Sequence, residues 1–434
     1  MSATYAFRRS FDGWVGDTSL SGNAKREIRN KCGTKFAPSW KAKGTTMRAI
    51  ELFAGAGGLG MGITKAGFKP AQIVEWDHWC CDTIRENRRV AASPIAHWPE
   101  PIEGDVRAID FKAYEGKIDL VSGGPPCQPF SLGGKHRGHA DDRDMWAEAV
   151  RAVRETRPRA FVFENVKGLT RASFATYLAY IVHQLTHPEL KRRCGEKWSD
   201  HMTRLERQHT SNAREDLRYN VVYRVLNAAN YGVPQRRERV VFVGFRADLG
   251  IEWAFPDETH SLDALAWSQV RSKRYWERHQ MAALHRTIDL RIHSRGMSLI
   301  EKPTAMPWVT VRDAVADLPD PEHDIEAAAR RANHRFQGGA RSYTGHTGSP
   351  LDEPAKTLKA GVHGVPGGEN MLCRPDGSVR YFTVRESARL QTFPDSYRFH
   401  GSWTECMRQL GNAVPVRLAE IVGRNLAARL ERRA

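Results

Sequence analysis

The sequence has no long apolar run and few cysteines, and each lack argues against a class of protein. No window approaches the roughly 18 consecutive apolar residues that a membrane span needs, and the first residues lack the apolar core of a secretory signal. The 7 cysteines are odd in number and include no C-x-x-C pair, so neither a disulfide framework nor a zinc site is indicated. We therefore expect a cytoplasmic protein with reduced thiols, no membrane contact and no metal.

What the chain has in excess is positive charge. Its 434 residues include 66 Lys and Arg against 50 Asp and Glu, which gives a net charge of +16. A surface this basic favours a polyanionic partner such as nucleic acid, through release of counterions. A basic enzyme whose charge only aids solubility would have the same composition. The length allows two or three domains.

Strand-like apolar runs alternate with helix-like stretches after a basic N-terminal extension over residues 1–46. This alternation predicts an α/β fold with a doubly wound, mostly parallel sheet. The predicted strands are 48–53, 72–76, 118–122, 160–164, 219–226 and 239–245. We assign residues 47–250 and 385–434 to this first domain, because the alternation fades between these two segments.

Residues 251–384 are richer in Trp, His, Arg, Pro and Gly, which indicates a second, smaller domain. Within it, residues 271–295 are strongly basic, with Tyr275 and Trp276 among the charges. This pattern is typical of a surface that follows phosphates, although a solvated helix face would have the same pattern. A charged insertion over 181–220 interrupts the first domain, and the spacing of Trp198, Met202 and Leu205 predicts a helix outside the sheet.

A glycine-rich turn follows the first predicted strand, at residues 51–60 (ELFAGAGGLG). Glycines here let the backbone approach a nucleotide-like ligand, and Glu75, at the end of the next strand, could hold ribose hydroxyls. A nicotinamide dehydrogenase would fit this motif equally, and so would a tight turn without a ligand. The motif therefore does not decide the function alone.

A cysteine follows the third predicted strand within residues 123–131 (GGPPCQPFS). The carboxyl ends of strands in an open α/β sheet form the ligand crevice, and three prolines stiffen the loop around Cys127. A buried structural cysteine does not need such a loop, so we interpret Cys127 as a nucleophile. The Gly- and charge-rich stretch 132–144 could close over a substrate, or it could be a plain surface loop.

Two further motifs lie at predicted strand ends. Glu164, in Glu-Asn-Val, should share the crevice with Cys127, where a protonated carboxyl could donate to a ring nitrogen. A helix-capping role for Asn165 is the competing explanation. In residues 235–239 (QRRER), alternate side chains should point the same way, into the crevice or onto phosphates. Basic residues that protect a sheet edge are the alternative there.

Taken together and in this order, these motifs resemble the DNA (cytosine-5)-methyltransferase family, typified by bacterial restriction-modification enzymes. The resemblance extends to residues 385–394 (RESARLQTFP) and 411–415 (GNAVP). It implies a Rossmann-like catalytic domain, S-adenosylmethionine as the cofactor and double-stranded DNA as the substrate. Residues 251–384 would be the target recognition domain, which in this family reads bases from the major groove.

The resemblance also implies roles for individual residues. Glu75 would hold the ribose of S-adenosylmethionine, and Asp105 its adenine amino group. The other residues expected at the cofactor are Phe53, Ala54, Gly55, Gly57, Gly58, Trp76, Asn412 and Val414. The residues expected to contact DNA are Gln128, Ser131, Lys135, Arg137 and Arg143.

The implied mechanism begins with a flipped-out base, because C5 of cytosine is inaccessible inside a duplex. Cys127 would add to C6 while Glu164 engages N3, so that C5 becomes nucleophilic and takes the methyl group. The methyl transfer would leave S-adenosylhomocysteine as the second product, and loss of the C5 proton would then expel the enzyme. Arg237 and Arg239, with Gln235 beside them, would steady the flipped nucleotide.

The same resemblance implies a bacterial, nucleoid-associated enzyme that protects host DNA in a restriction-modification system. We expect it to act as a monomer, because an asymmetric enzyme can methylate each strand of a palindrome in turn. A cognate endonuclease would act on the same site without direct contact. A tRNA cytosine-5 methyltransferase and a catalytically inactive DNA-binding regulator remain alternatives. The separate recognition region favours DNA over tRNA, and the intact Cys127, Glu164 and Arg239 argue against an inactive protein.

Overall fold

A central sheet organises the part of the chain that the computed structural model describes, residues 46–90, 93–126, 145–211, 217–361 and 368–432. Its strands are β1 (Arg48–Leu52), β2 (Lys69–Glu75), β3 (Ile102–Glu103), β4 (Leu120–Gly123), β5 (Ala160–Val166), β6 (Tyr219–Asn227) and β7 (Glu238–Arg246). They lie in the order β3-β2-β1-β4-β5-β7-β6. Neighbours are parallel except at β7, which runs antiparallel to both β5 and β6. The predicted doubly wound, mostly parallel sheet is confirmed.

Smaller strands, thirteen α-helices, short 3₁₀ helices and a π-helical turn, Trp267–Arg271, complete the described regular structure. The strands are β8 (His260–Ser261), β9 (Met306–Pro307), β10 (Ser349–Pro350), β11 (Met371–Cys373) and β12 (Val379–Tyr381). The helices are α1 (Gly58–Lys65), α2 (His78–Arg88), α3 (Trp146–Thr156), α4 (Ala175–Thr186), α5 (Trp198–Thr210), α6 (Leu262–Ala266), α7 (Arg274–Arg278), α8 (Leu290–Ser298), α9 (Val311–Val315), α10 (Ile325–Ala329), α11 (Val384–Leu390), α12 (Trp403–Asn412) and α13 (Val416–Glu431). None of these described helices is long and apolar enough to span a membrane.

The central sheet is covered on both faces. In β5, Phe161 and Phe163 join a core formed with α3, α4 and α5, whereas Ala160 and Val162 join a second core formed with α1 and α13. Successive side chains of a strand point to opposite faces. Because both faces of β5 are covered, side chains on both faces are apolar, and the strand is a continuous apolar run in the sequence.

The last helix packs closely against the first. A Cβ atom at Gly62 of α1 would lie 2.4 Å from the Cβ of Ala419 in α13. Only glycine allows this approach, since any larger residue would overlap the opposite helix. The C-terminal segment is thereby held beside the glycine-rich turn that precedes α1.

Helix α5 confirms the helix that was predicted inside the charged insertion, with Met202 and Leu205 buried against the sheet layer. By contrast, the surface expected around Tyr275 and Trp276 needs correction. Both rings are only 1% exposed, and the Tyr275 hydroxyl donates to Asp352 at 2.7 Å. These aromatic residues belong to a small core and cannot contact a phosphate chain.

Candidate active site

The predicted site motifs lie around the topological switch point of the sheet, where the strand order reverses. β1 is flanked by β2 on one side and by β4 on the other, and α1 and α3 cover opposite faces. The carboxyl ends of β1, β2, β4 and β5 therefore border a crevice at the switch point of the fold, where α/β proteins bind ligands. One of the motifs lies at the carboxyl end of each of these four strands or directly after it.

Glu75, the last residue of β2, is the centre of a backbone cradle. Its carboxylate accepts hydrogen bonds from the backbone N–H of Gly55 at 2.7 Å, Trp76 at 2.9 Å and Asp77 at 2.8 Å. Burial raises the pKa of Glu75, and these three donors oppose the shift. The contact with Gly55 ties the turn after β1 to the end of β2.

The glycine-rich turn has the backbone conformation that its glycines suggest. Gly55 and Gly57 have φ angles of 54° and 80°, and Phe53 also has a positive φ of 53°. A positive φ is uncommon for a residue other than glycine, and it tends to occur at functional sites. A Cβ at Gly58 would lie 2.4 Å from the carbonyl oxygen of Val414. The 411–415 motif is therefore adjacent to this turn.

The other predicted cofactor residues lie around the same crevice. Trp76 is 76% exposed, which is unusual for so large an apolar side chain. Asp105 follows β3, beside the end of β2, since the Gly104 N–H donates to the Glu75 carbonyl. Arg107 pairs with Asp105 and holds its pKa below the usual range. The remaining predicted positions are Ala54 and Val414, which are buried, and Asn412, which is exposed at the end of α12.

Glu164 and Arg239 form a buried ion pair across β5 and β7. Arg239 Nε lies 2.7 Å from Glu164 Oε1, and both side chains are nearly buried. Burial raises the pKa of Glu164, and the charges of Arg239 and Arg237 oppose this shift. Burial therefore favours the neutral form of this carboxyl, the form that can donate a proton.

Asn165 connects the end of β5 to the loop that carries the cysteine. Its side-chain Nδ2 donates to the Pro125 carbonyl at 3.0 Å, and its Oδ1 accepts from the Val166 N–H at 2.8 Å. The following short 3₁₀ helix, Lys167–Thr170, has Val166 at its N-cap and no side-chain cap. The helix-capping interpretation of Asn165 is therefore wrong. The residue fixes the start of the Pro-Cys loop.

The loop residues with the most direct predicted roles lie outside the described residues. These are Cys127 and the predicted DNA contacts Gln128, Ser131, Lys135, Arg137 and Arg143. Pro126 is the last described residue before them.

Gln235 and Arg237 do not line the crevice as expected. Both are fully buried. Arg237 donates to the carbonyl of Leu358 at 3.1 Å and of Gly411 at 2.7 Å, while Gln235 accepts from the Leu358 N–H at 3.0 Å. In this structure a phosphate contact by Arg237 is excluded, because its guanidinium is enclosed. Arg237 instead joins three distant segments beneath the site.

Glu51 and Tyr397 support the glycine-rich turn, and the sequence interpretation gave neither of them a role. Ser122 of β4 donates to the Glu51 carboxyl, and burial raises the pKa of Glu51 to about 8. The Tyr397 hydroxyl donates to the Ala56 carbonyl at 2.7 Å. An acidic residue inside an apolar strand was the one available signal for Glu51. Tyr397 lies far along the chain, and local patterns give no indication of its contact.

Comparison with known proteins decides the family. The model of the C-5 cytosine-specific DNA methylase family matches residues 47–188 and 197–428. The chain belongs to this family. The match includes β1 to β7 and continues through the C-terminal helix, so it is not limited to the cofactor fold.

Two similar methyltransferases extend the family match over most of the chain. The type II methyltransferase M.PspPI of Psychrobacter sp. (strain TA137) is 33% identical over 383 residues, which are 86% of this chain and 77% of that protein. M.Eco47II of Escherichia coli is 31% identical over 409 residues, or 92% and 84%. A crystal structure of a putative prophage-encoded DNA modification methyltransferase from E. coli shares the fold. It has a TM-score of 0.51 and 21% identity, and the match covers 88% of this chain and 99% of that one.

A substitution at Arg237 separates a structural role from a role in substrate binding. We expect Arg237→Met to lower the free energy of unfolding by about 2 kcal/mol, because two buried carbonyl groups lose their donor. Urea unfolding measures this change. The matched control is Arg424→Met, at a position 54% exposed and paired with Glu420, where about 0.5 kcal/mol or less is expected. Unchanged stability together with lost methyl transfer would instead assign Arg237 to the substrate.

Proposed function

We propose that this DNA methylase transfers a methyl group from S-adenosylmethionine to C5 of a flipped-out cytosine, within a short double-stranded DNA sequence. The observation that carries this proposal is the buried Glu164–Arg239 pair. It lies at the end of β5, next to Asn165, which holds the loop leading to Cys127. Two adjacent residues of β5 therefore serve the reaction: Glu164 is the proton donor, and Asn165 positions the loop that carries the nucleophile.

The nucleophile is the Cys127 thiolate, and its target is C6 of the cytosine ring. Bond formation between sulfur and C6 pushes electron density towards C5, which is otherwise a poor nucleophile. Once C5 has accepted the methyl group, its proton passes to water, the C–S bond breaks to free the thiolate, and N3 returns its proton to Glu164. Pro125 and Pro126 limit the conformations of the segment before Cys127, which reduces the cost of positioning its sulfur.

Glu164 is the acid that acts on the ring at N3. In its neutral form it donates to N3, so the ring does not accumulate negative charge while sulfur adds to C6. Arg239 has two functions in this proposal, because it holds the Glu164 carboxyl and has further N–H donors for the carbonyl oxygen of the base. The raised pKa of Glu164 is in the direction that this role requires.

The residues around Glu75 fit an adenosine group. The exposed Trp76 ring offers a flat apolar surface, and Glu75 retains lone pairs for ribose hydroxyls after accepting three N–H groups. Asp105 offers an acceptor for an adenine amino group. Val414 lies beside the glycine-rich turn, and Asn412 comes two residues before it. When bound, S-adenosylmethionine supplies an electrophilic methyl group from its sulfonium.

A change at Trp76 tests this cofactor assignment. We expect Trp76→Ala to weaken S-adenosylmethionine binding about fivefold, since an aromatic stacking contact contributes on the order of 1 kcal/mol. Isothermal titration calorimetry measures the affinity. The control is Leu284→Ala, which removes a side chain that is 81% exposed in the 3₁₀ helix Ala283–His285. Equal affinities in the Trp76 variant and the wild type would remove Trp76 from the site.

We further propose a role in DNA binding for each part of the chain. Residues 251–384 act as the target recognition domain, residues 47–250 and 385–434 as the catalytic domain, and residues 1–46 as an extension. Gln128, Ser131, Lys135, Arg137 and Arg143 contact the DNA around the flipped base. The net charge of +16 supports phosphate binding. The enzyme works as a monomer at the nucleoid, in a restriction-modification system whose endonuclease acts on the same site without touching it.

Transfer of a labelled methyl group tests the reaction and the substrate together. The purified chain is incubated with methyl-labelled S-adenosylmethionine and either unmethylated genomic DNA or total tRNA. We expect label in duplex DNA, recovered as 5-methylcytosine after digestion, and none in tRNA. Label confined to tRNA would support a tRNA cytosine-5 methyltransferase, and label in neither would contradict catalysis.

A further inference from the structure

Three histidines lie close together at the end of α4 and near the end of α5, the helix of the charged insertion. His183 lies in the last turn of α4, His187 directly follows that helix, and His209 is near the end of α5. Each offers one ring nitrogen, and these three nitrogens all lie within 4.8 Å of one another. The distance between His187 Nε2 and His209 Nδ1 is 3.1 Å.

The spacing of these histidines is that of a metal site. Residues i and i+4 of a helix lie on the same face, and the His187 N–H donates to the His183 carbonyl at 2.9 Å, which continues the helical geometry. Nitrogens bound tetrahedrally to zinc at about 2.1 Å are separated by about 3.4 Å. The pair at 3.1 Å is already close to this separation, so only a small movement of His183 would complete three ligands.

A second observation concerns the His183 ring. Its Nδ1 atom is shielded from solvent and has no hydrogen-bond partner among the described residues. A buried polar atom without a partner is costly, and in a native structure it often marks an ion or water site. A ring nitrogen of His187 and one of His209 lie within 4.8 Å of a His183 ring nitrogen, and the centroids of the His183 and His209 rings are 5.0 Å apart.

We propose that His183, His187 and His209 bind one transition-metal cation, with Zn²⁺ as the best match. Imidazole nitrogens suit zinc, copper and nickel, whereas magnesium and calcium prefer oxygen ligands. The fourth position faces the exposed side of His209 and takes water. The cation joins α5 to α4 and thereby fixes the insertion on the catalytic domain. The sequence has no C-x-x-C pair, and for that reason no zinc site was expected. That argument applies to cysteine ligands and does not exclude a site made of histidines.

A second candidate cluster, Asp320, Glu322 and His323, supplies an internal control. All three residues are exposed, and Arg374 is paired with Asp320 and Glu322. A cation at this cluster would compete with the Arg374 guanidinium for the two carboxylates. This cluster should therefore not bind zinc tightly.

Metal binding by the full chain tests the proposal without a methylation assay. The EDTA-treated, dialysed protein is titrated with Zn²⁺ against a chromophoric chelator, and with Co²⁺ followed by visible absorption. We expect one tight site with a tetrahedral cobalt spectrum lacking thiolate charge transfer. Zinc should also raise the thermal midpoint. We expect His209→Gln, at an exposed position, and His183→Gln to weaken zinc binding at least about tenfold.

Two variants serve as controls for this assignment. His323→Gln removes the alternative cluster, and Cys194→Ser removes an exposed thiol between α4 and α5. Both should bind zinc like the wild type. The proposal is contradicted if the wild type binds no stoichiometric zinc or cobalt, if His209→Gln retains the affinity, or if Cys194→Ser loses it.

Discussion

Cys127→Ser is expected to reduce methyl transfer to DNA by on the order of 10⁴-fold or more, because a serine hydroxyl is not ionised at neutral pH and cannot add to C6. Binding of DNA and of S-adenosylmethionine should change little. The measurement is single-turnover transfer of labelled methyl groups to duplex DNA. Filter binding on the same samples separates loss of chemistry from loss of affinity.

A covalent adduct gives an independent readout for Cys127. Duplex DNA with 5-fluorocytosine at the target blocks the final step, since fluorine at C5 cannot leave as a proton, and the enzyme should remain attached in a denaturing gel. The matched control is Cys194→Ser, which changes an exposed thiol and should form the adduct as the wild type does. Adduct formation by Cys127→Ser would identify a different nucleophile.

Glu164→Gln is expected to lower kcat by about 10²- to 10³-fold, within the range for loss of a general acid. Glutamine can still donate a hydrogen bond but cannot transfer a proton. Burial raises the pKa of Glu164. The active neutral form is lost as the pH rises through this raised pKa. The wild-type rate should therefore fall on the alkaline side, and the variant should lack this dependence.

The control for Glu164 is a carboxyl on the adjacent strand. Glu238, at the start of β7, is 45% exposed and pairs with Lys167 at 2.8 Å. Glu238→Gln should retain most of the activity and the full pH profile, since an exposed ion pair contributes little. A Glu164→Gln enzyme with normal kcat, or with the same alkaline decline, would remove Glu164 from the reaction.

The sheet and the position of the site could be predicted from the sequence because both depend on local patterns. Buried parallel strands are short apolar runs, and all six predicted strands are present. In such a fold the residues after each strand face one crevice, so the order of the motifs already brought Glu75 and Glu164 to the same edge. The two-residue β3 was missed, because both its residues are exposed and lack an apolar pattern.

Long-range contacts set the limit of sequence reasoning. Arg237 was expected at a phosphate, but its partners are 121 and 174 residues away. Tyr275 was expected on a surface, but it is bonded to a carboxylate 77 residues later. Whether an arginine or an aromatic ring is buried depends on which segments pack over it, and the residue pattern around it contains no such information.

Bisulfite sequencing of DNA from cells that express the wild-type chain or, separately, Cys127→Ala tests the central claim most directly. The account predicts cytosine-5 methylation at one short sequence motif with the wild type and none with the variant, which would also reveal the target. DNA without methylated cytosine in cells that produce the folded wild-type protein would contradict it.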